Sequence, residues 1–222
     1  TMVGAASIKQ VFTATTSYGA TVIEKVRRPS IEKHLEEDLR VMNEILDILS
    51  DAGDSVPPNL STRVRQFIAE EVNFEREVQN QRTLSKVLDE YSQVYNPEFR
   101  LSVPRVFTYS FEHIREEAIR GIPIGEFIKY ADGSVRIEDL VKRYLMSSEE
   151  VAGFKKLIHR VEDIKVQIVD CLLFQIFTKG AFHSDPHAGN ILISAEGNVS
   201  FIDLGSFAEM EHEQIPEVKK FI

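Results

Sequence analysis

The stretch from Phe182 to Gly205 constrains this chain more than any other, because it sets polar groups able to hold metal and phosphate between apolar runs. His183-Ser184-Asp185-Pro186-His187-Ala188-Gly189-Asn190 reads as a polar loop. Ile191, Leu192 and Ile193 then form a short strand, which a turn at Glu196-Gly197-Asn198 ends. A second run, Val199 to Ile202, carries straight into Asp203-Leu204-Gly205. The order is loop, strand, hairpin turn, strand, acid. Pro186 disfavours the helical region for Asp185, which suits a fixed extended loop.

Phosphoryl transfer calls for these residue types at these spacings, since a protein must orient a hydroxyl or water and hold magnesium against the nucleotide phosphates. Asp185 would orient the nucleophile. Asn190, five positions on, and Asp203, thirteen further, supply hard oxygen ligands of the sort magnesium prefers, and the hairpin folds them side by side. A kinase catalytic loop has an Asp followed five residues later by an Asn, and its metal-binding Asp opens an Asp-Phe-Gly triplet. This chain has that spacing with Asp-Leu-Gly. Two other readings exist. His183, Asp185 and His187 could ligate a transition metal, as in a metallohydrolase. Alternatively, Asp203 caps a turn and the two His are satisfied by backbone groups.

The 222 residues, 43% hydrophobic and 27% charged, fit a globular chain of one domain or two small lobes. The single Cys171 excludes an internal disulfide and fits a reducing, cytoplasmic compartment, and its apolar neighbours Leu172, Leu173 and Phe174 place it in a core rather than at a reactive site. No apolar run approaches a membrane span, and residues 1–10 do not read as a signal peptide, so any membrane association is peripheral. A net charge of −9 argues against nucleic-acid binding; a polyanionic ligand must be met by a local cation and by metal.

Taken in order, a small-residue loop (Gly4-Ala5-Ala6-Ser7) precedes a hairpin whose strands run from Ile8 to Thr16 and from Ala20 to Val26. Such a loop lets backbone N–H groups approach phosphates. Lys25 shares a face with Ile23 and Thr21. An amphipathic helix then carries Ile31, Leu35, Leu39, Met42, Leu46 and Leu49, ended by Asp51-Ala52-Gly53 and Pro57-Pro58. A second helix is predicted over about residues 60–91, with Val64, Phe67, Glu71, Phe74 and Val78 on one stripe. A carboxylate in an apolar row needs a cation, and Lys25 is the candidate for Glu71. Asn73 and Glu77, four apart, form a second polar edge of this helix, which an ordinary solvated face would also explain. Strands follow at Val103–Phe107 and His113–Ile119, and Gly121-Ile122-Pro123 marks a boundary between domains 1–121 and 122–222. Phe127 to Glu150 reads as a short helix plus an exposed insertion, and Val161, Ile164, Ile168, Leu172 and Ile176 mark a buried helix. Only residues 206–222 follow the triplet, too few for the helical remainder of a kinase-like lobe, so the sequence reads as a fragment or cropped domain.

Five stretches resemble the UbiB family of atypical, protein-kinase-like proteins. Gly4-Ala5-Ala6-Ser7-Ile8-Lys9-Gln10-Val11 is similar to its alanine-rich nucleotide loop, and Lys25-Val26-Arg27-Arg28-Pro29 to its strand lysine with Val-x-Arg-Pro. Glu71-Val72-Asn73-Phe74-Glu75-Arg76-Glu77 is similar to its Glu-x-Asp helix motif; Phe182 to Asn190 and Asp203-Leu204-Gly205 are similar to its catalytic loop and metal-binding triplet. The catalytic loop alone would also admit aminoglycoside phosphotransferases and choline kinases; the alanine-rich loop and the Arg-Pro after Lys25 favour UbiB.

The resemblance implies an α+β, two-lobed kinase-like fold, with a small sheet-plus-helix N-lobe and a mainly helical C-lobe, truncated after the triplet. It implies ATP or ADP with Mg2+ bound between the lobes, and an ATPase or small-molecule kinase supporting ubiquinone or isoprenoid-lipid biosynthesis, with lipid or quinone precursors and membrane-associated biosynthetic proteins as partners. By position, Asp185 would be the catalytic base, Lys25 would reach the phosphates and pair with Glu71, and Asn190 and Asp203 would hold metal. Gly4, Ala5, Ala6, Ser7, Ile23, Lys25 and Glu117 would contact the nucleotide, and Glu77 would match a further family acid. Asn73 stands where the family has Asp, Gly4 replaces an alanine, and Ile23-Glu24-Lys25 replaces the usual Ala-Val-Lys, which puts a larger side chain toward the adenine pocket. The family's Lys-x-Gly-Gln segment is not among these residues. Ile23 and Asn73 favour a second hypothesis, a nucleotide-binding pseudokinase that acts as a scaffold.

Overall fold

Strand alternation and hairpin turns at the N-terminal end build a sheet, and longer-period apolar patterns build most of the rest. The computed structural model describes residues 2–5, 9–29, 31–51, 60, 62, 73–210, 213 and 215–216. Contacts divide the chain into two units, residues 1–77 with 106–117 and residues 78–105 with 118–222. The single boundary at 121–122 expected from sequence differs from this division. Its cause is a non-local pairing: β4 (Leu101–Ser102) runs parallel to β10 (Val199–Phe201), Leu101 opposite Val199, which draws the 78–105 stretch into the second unit.

The first unit holds an antiparallel sheet in the order β1-β2-β3-β6-β5, formed by Met2–Ala5, Lys9–Thr15, Thr21–Arg27, His113–Glu117 and Val106–Ser110 respectively. The β2–β3 turn closes with Gly19 N donating to Thr16 O at 2.9 Å, and its φ of 82° is open to glycine at no steric cost. Gly4 and Ala5 lie in β1, opposite Val11 and Gln10, so half of the stretch read as a loop is strand; a ladder with β2 satisfies their backbone groups as a free loop would not. Ala6 and Ser7 lie outside the described residues. Helix α1 (Ile31–Asp51) turns Leu39 inward and leaves Val41, Ile45, Ile48 and Leu49 exposed. The second predicted helix is described as α2 (Phe74–Tyr95), and Asn73 stands just before it as the N-cap, its Oδ1 accepting from Arg76 N at 3.0 Å. Asp and Asn cap equally well, which accounts physically for Asn at this position.

In the second unit, α2 contributes Leu84, Val87, Leu88 and Tyr91 to one apolar core, completed by Phe127, Phe154, Ile164, Ile168, Ile191, Ile193, Phe201 and Leu204. Its sheet runs β4-β10-β9-β7, with β9 (Ile191–Ile193) and β7 (Ile122–Pro123). Residues 124–157 are helical rather than an exposed insertion: α3 (Ile124–Ala131), α4 (Ile137–Tyr144) and α5 (Ser148–Leu157) bury Phe127, Leu140 and Phe154. Two of these helices have only eight residues, too short for a clear 3.6-residue period. A capping box starts α5: Ser147 and Glu150 bond each other's backbone N–H groups. Arg120 adds two bonds to Glu150 and, with the Ser147 contacts, holds that carboxyl down to about 2.

Helix α6 (Val161–Phe174) widens into a π turn over Gln175–Lys179, ended by Gly180 at φ 64°. Cys171 faces the core here, and burial pushes its thiol up to about 12. Iodoacetamide at pH 8 should therefore leave the folded protein unmodified and label it fully in urea. Fast labelling without denaturant would show that the α6 packing is wrong.

Candidate functional site

Two groups of polar side chains stand out, one in each unit. In the first, Lys25 is buried on β3 and its Nζ lies 2.6 Å from Glu77 Oε1 and 2.8 Å from Glu116 Oε1. Glu77, 1% exposed in the first turn of α2, also receives Lys9 at 3.3 Å. The result is a row of alternating charge, Lys9–Glu77–Lys25–Glu116. Burial of these ions is tolerable because each has an opposite partner among the described residues. The helix N-terminus adds a favourable field for Glu77.

The register explains Glu116. Ile23 stands opposite Glu116 and Lys25 opposite Ile114, so Glu116 is a diagonal cross-strand neighbour of Lys25 on the same face. Glu117, expected with Ile23 and Lys25, stands opposite Val22, and strand alternation turns its side chain to the other face. Glu71 lies outside the described residues. The solvated edge read for Glu77 is overturned: α2 buries Phe74, Glu77, Val78, Asn80 and Gln81 together, a broad face with polar members. The continuing i, i+3, i+4 pattern through 77, 81, 84 and 88 was the available signal.

In the second unit the hairpin forms at the predicted residues. Phe201 pairs with Ile191, and the next rung is Ile202 N donating to Asn190 O at 2.8 Å, which sets Asn190 beside the residue preceding Asp203. Asn190 Nδ2 donates to Asp185 O at 3.2 Å, so its Oδ1 is the oxygen left for a cation. Asp203 has φ 57°, a left-handed conformation that Asp tolerates better than most residues. A carboxamide oxygen and a carboxylate brought together on adjacent strand ends fit a hard divalent ion such as magnesium. Asp185 is more than half exposed at the mouth of its loop.

His183 is buried, and burial pushes its pKa down against the pull of its backbone bonds. The neutral ring has one N–H. With Nε2 as donor to Ile202 O at 3.3 Å, Nδ1 accepts from Asp185 N at 3.3 Å, while Ser206 O, 3.2 Å from Nδ1, is served by Ser184 N. His187 accepts from Gly189 N at 3.0 Å. Both nitrogens of His183 are spent on backbone, and among the described residues no three His, Cys, Asp or Glu side chains are grouped to share a metal. The metallohydrolase arrangement of His183, Asp185 and His187 is not formed. Gln175, buried in the π turn, fixes the loop entry by accepting from His183 N at 3.2 Å; sequence reasoning missed it because a π turn has no separate pattern.

An antiparallel sheet followed by a helix, and a polar loop joined to a hairpin that ends in Asp-Leu-Gly, define an α+β kinase-like protein. A solved structure, the Rv3197–erythromycin complex from Mycobacterium tuberculosis, shares the fold: it aligns with 95% of this chain and 46% of its own at a TM-score of 0.62 and 22% identity. The family model of the ABC1 atypical kinase-like domain matches residues 1–222, and the chain belongs to that family, which the UbiB proteins share. It is 26% identical over 95% of its length to the Arabidopsis thaliana "Protein ACTIVITY OF BC1 COMPLEX KINASE 3, chloroplastic", of which it covers 26%. It is 29% identical over 88% of its length to the Aeromonas hydrophila "Probable protein kinase UbiB", of which it covers 32%. The chain thus spans about a quarter to a third of these two relatives. Among the described residues no helix is long and apolar enough to cross a membrane.

Proposed function

We propose that this domain binds an adenine nucleotide with magnesium and acts as an ATPase or small-molecule kinase. The observation that carries this reading is the bond from Ile202 N to Asn190 O, which holds Asn190 and the Asp203 strand end together five residues beyond Asp185. Asp185 orients the attacking water or alcohol and takes its proton as the new O–P bond forms and the β–γ bridging P–O bond breaks, releasing ADP. Asn190 Oδ1 and the Asp203 carboxylate hold the metal, which when bound neutralises phosphate charge. Lys25 supplies a cation to the phosphates, and Glu77 rather than a solvent contact fixes its position. The small-residue stretch Gly4-Ala5-Ala6-Ser7 would let the chain come close to the phosphates, and Ile23 would border the base.

A role in ubiquinone or related isoprenoid-lipid biosynthesis, acting on lipid or quinone precursors beside membrane-associated proteins, rests on the likeness to UbiB proteins. One observation favours a second reading, a nucleotide-binding scaffold without turnover: Lys25 already carries two carboxylates, so phosphate must compete with Glu116.

Calorimetry with ADP and ATP tests the metal pair. Affinity should fall at least tenfold when a chelator removes magnesium, because an acidic protein and a polyphosphate repel one another. Equal affinity in both conditions would remove Asn190 and Asp203 from the site.

A further inference from the structure

The backbone around Asp203 is gripped by side chains from outside its own strand. The carbonyl before it, Ile202 O, receives His183 Nε2, and the carbonyl after it, Leu204 O, receives the Asn80 amide at 2.8 Å. Asn80 is 8% exposed on α2 and Leu204 is 1% exposed in the core, so this bond is dry and its loss would strand a buried carbonyl. Asp203 itself is in the left-handed region, where an L residue persists only if its surroundings over-determine it. Leu204 and Gly205 form a turn with no ladder hydrogen bonds of their own before β11 (Phe207–Glu209) begins. The direction of the Asp203 carboxylate therefore depends in part on what fixes the peptide group before it and the turn that follows it.

We infer that Asn80 is a positioning residue for the metal site: by holding Leu204 O it locks the turn that aims the Asp203 carboxylate beside Asn190. This rests on the magnesium reading given above. An amide suits the task because it donates to the carbonyl without bringing charge into the core. An apolar residue of equal size would fill the space and leave the carbonyl unpaired.

The test measures ADP affinity with magnesium and with chelator, for the parent, Asn80→Ala and Asn80→Asp. The magnesium-dependent gain in affinity should drop about 10- to 100-fold in Asn80→Ala, as outer contacts to metal ligands do. Affinity in chelator should match the parent. Asn80→Asp keeps the shape and loses the donor at pH 8; a carboxyl buried against a carbonyl is protonated more readily, so relative to the parent the magnesium gain should recover toward pH 5.5. This pH-dependent rescue keeps the test decisive if the alanine variant unfolds. An unchanged magnesium gain in both variants overturns the inference, as does an equal loss with and without metal. A parent with no magnesium dependence at all overturns the metal reading and the inference together.

Discussion

Asp185→Asn should abolish turnover while leaving nucleotide binding intact. The substitution keeps the side-chain shape and the loop built by His183 and Pro186, and it removes only the proton acceptor and its charge. Loss of a general base costs about 10²- to 10⁴-fold in rate. Steady-state phosphate release, with a lipid or quinone precursor present, measures it against the parent. Equal rates in the two proteins would show that Asp185 is not the base and would end the enzyme assignment. If neither protein releases phosphate while both bind nucleotide, the scaffold reading holds and the two carboxylates on Lys25 become its explanation.

Glu77→Ala should be the most destabilising single change in the first unit. It removes the carboxylate that both Lys9 and Lys25 meet in a buried setting. Removing one partner of a buried ion cluster costs about 3–5 kcal/mol, most of it the penalty on the stranded charge. Urea denaturation should show a lower midpoint at unchanged slope. A Glu77→Ala protein as stable as the parent would mean that the row is hydrated and that Glu77 does not hold Lys25.

The contrast between Glu71 and Glu77 shows how far periodicity reaches. The carboxylate of Glu71 inside an apolar stripe pointed to Lys25 as its cation; Glu71 lies outside the described residues, and Lys25 is buried on its strand. Among the described residues, the acids that hold it include Glu77, from a broad helix face, and Glu116, from a strand distant in sequence. Glu77 read as solvated because i, i+4 spacing to Asn73 resembles a surface pair; Asn73 is in fact the cap outside the helix, so the helical phase counted from it was not the one that packs.

By itself the sequence determined the spacing of Asp185, Asn190 and the Asp-Leu-Gly triplet, the hairpin over residues 191–202 and the family, since each depends on short-range pattern: turn residues, period-two alternation and fixed offsets. Only the tertiary structure decided what depends on distant segments meeting. The β4–β10 pairing moved the unit boundary, the β3–β6 register chose Glu116 over Glu117 as the neighbour of Lys25, and α2 presented Asn80 to the carbonyl after Asp203. The reason is that local chain geometry is written in neighbouring residues, whereas the partner of a buried polar group is selected by desolvation, which no residue experiences until the whole fold has excluded water around it.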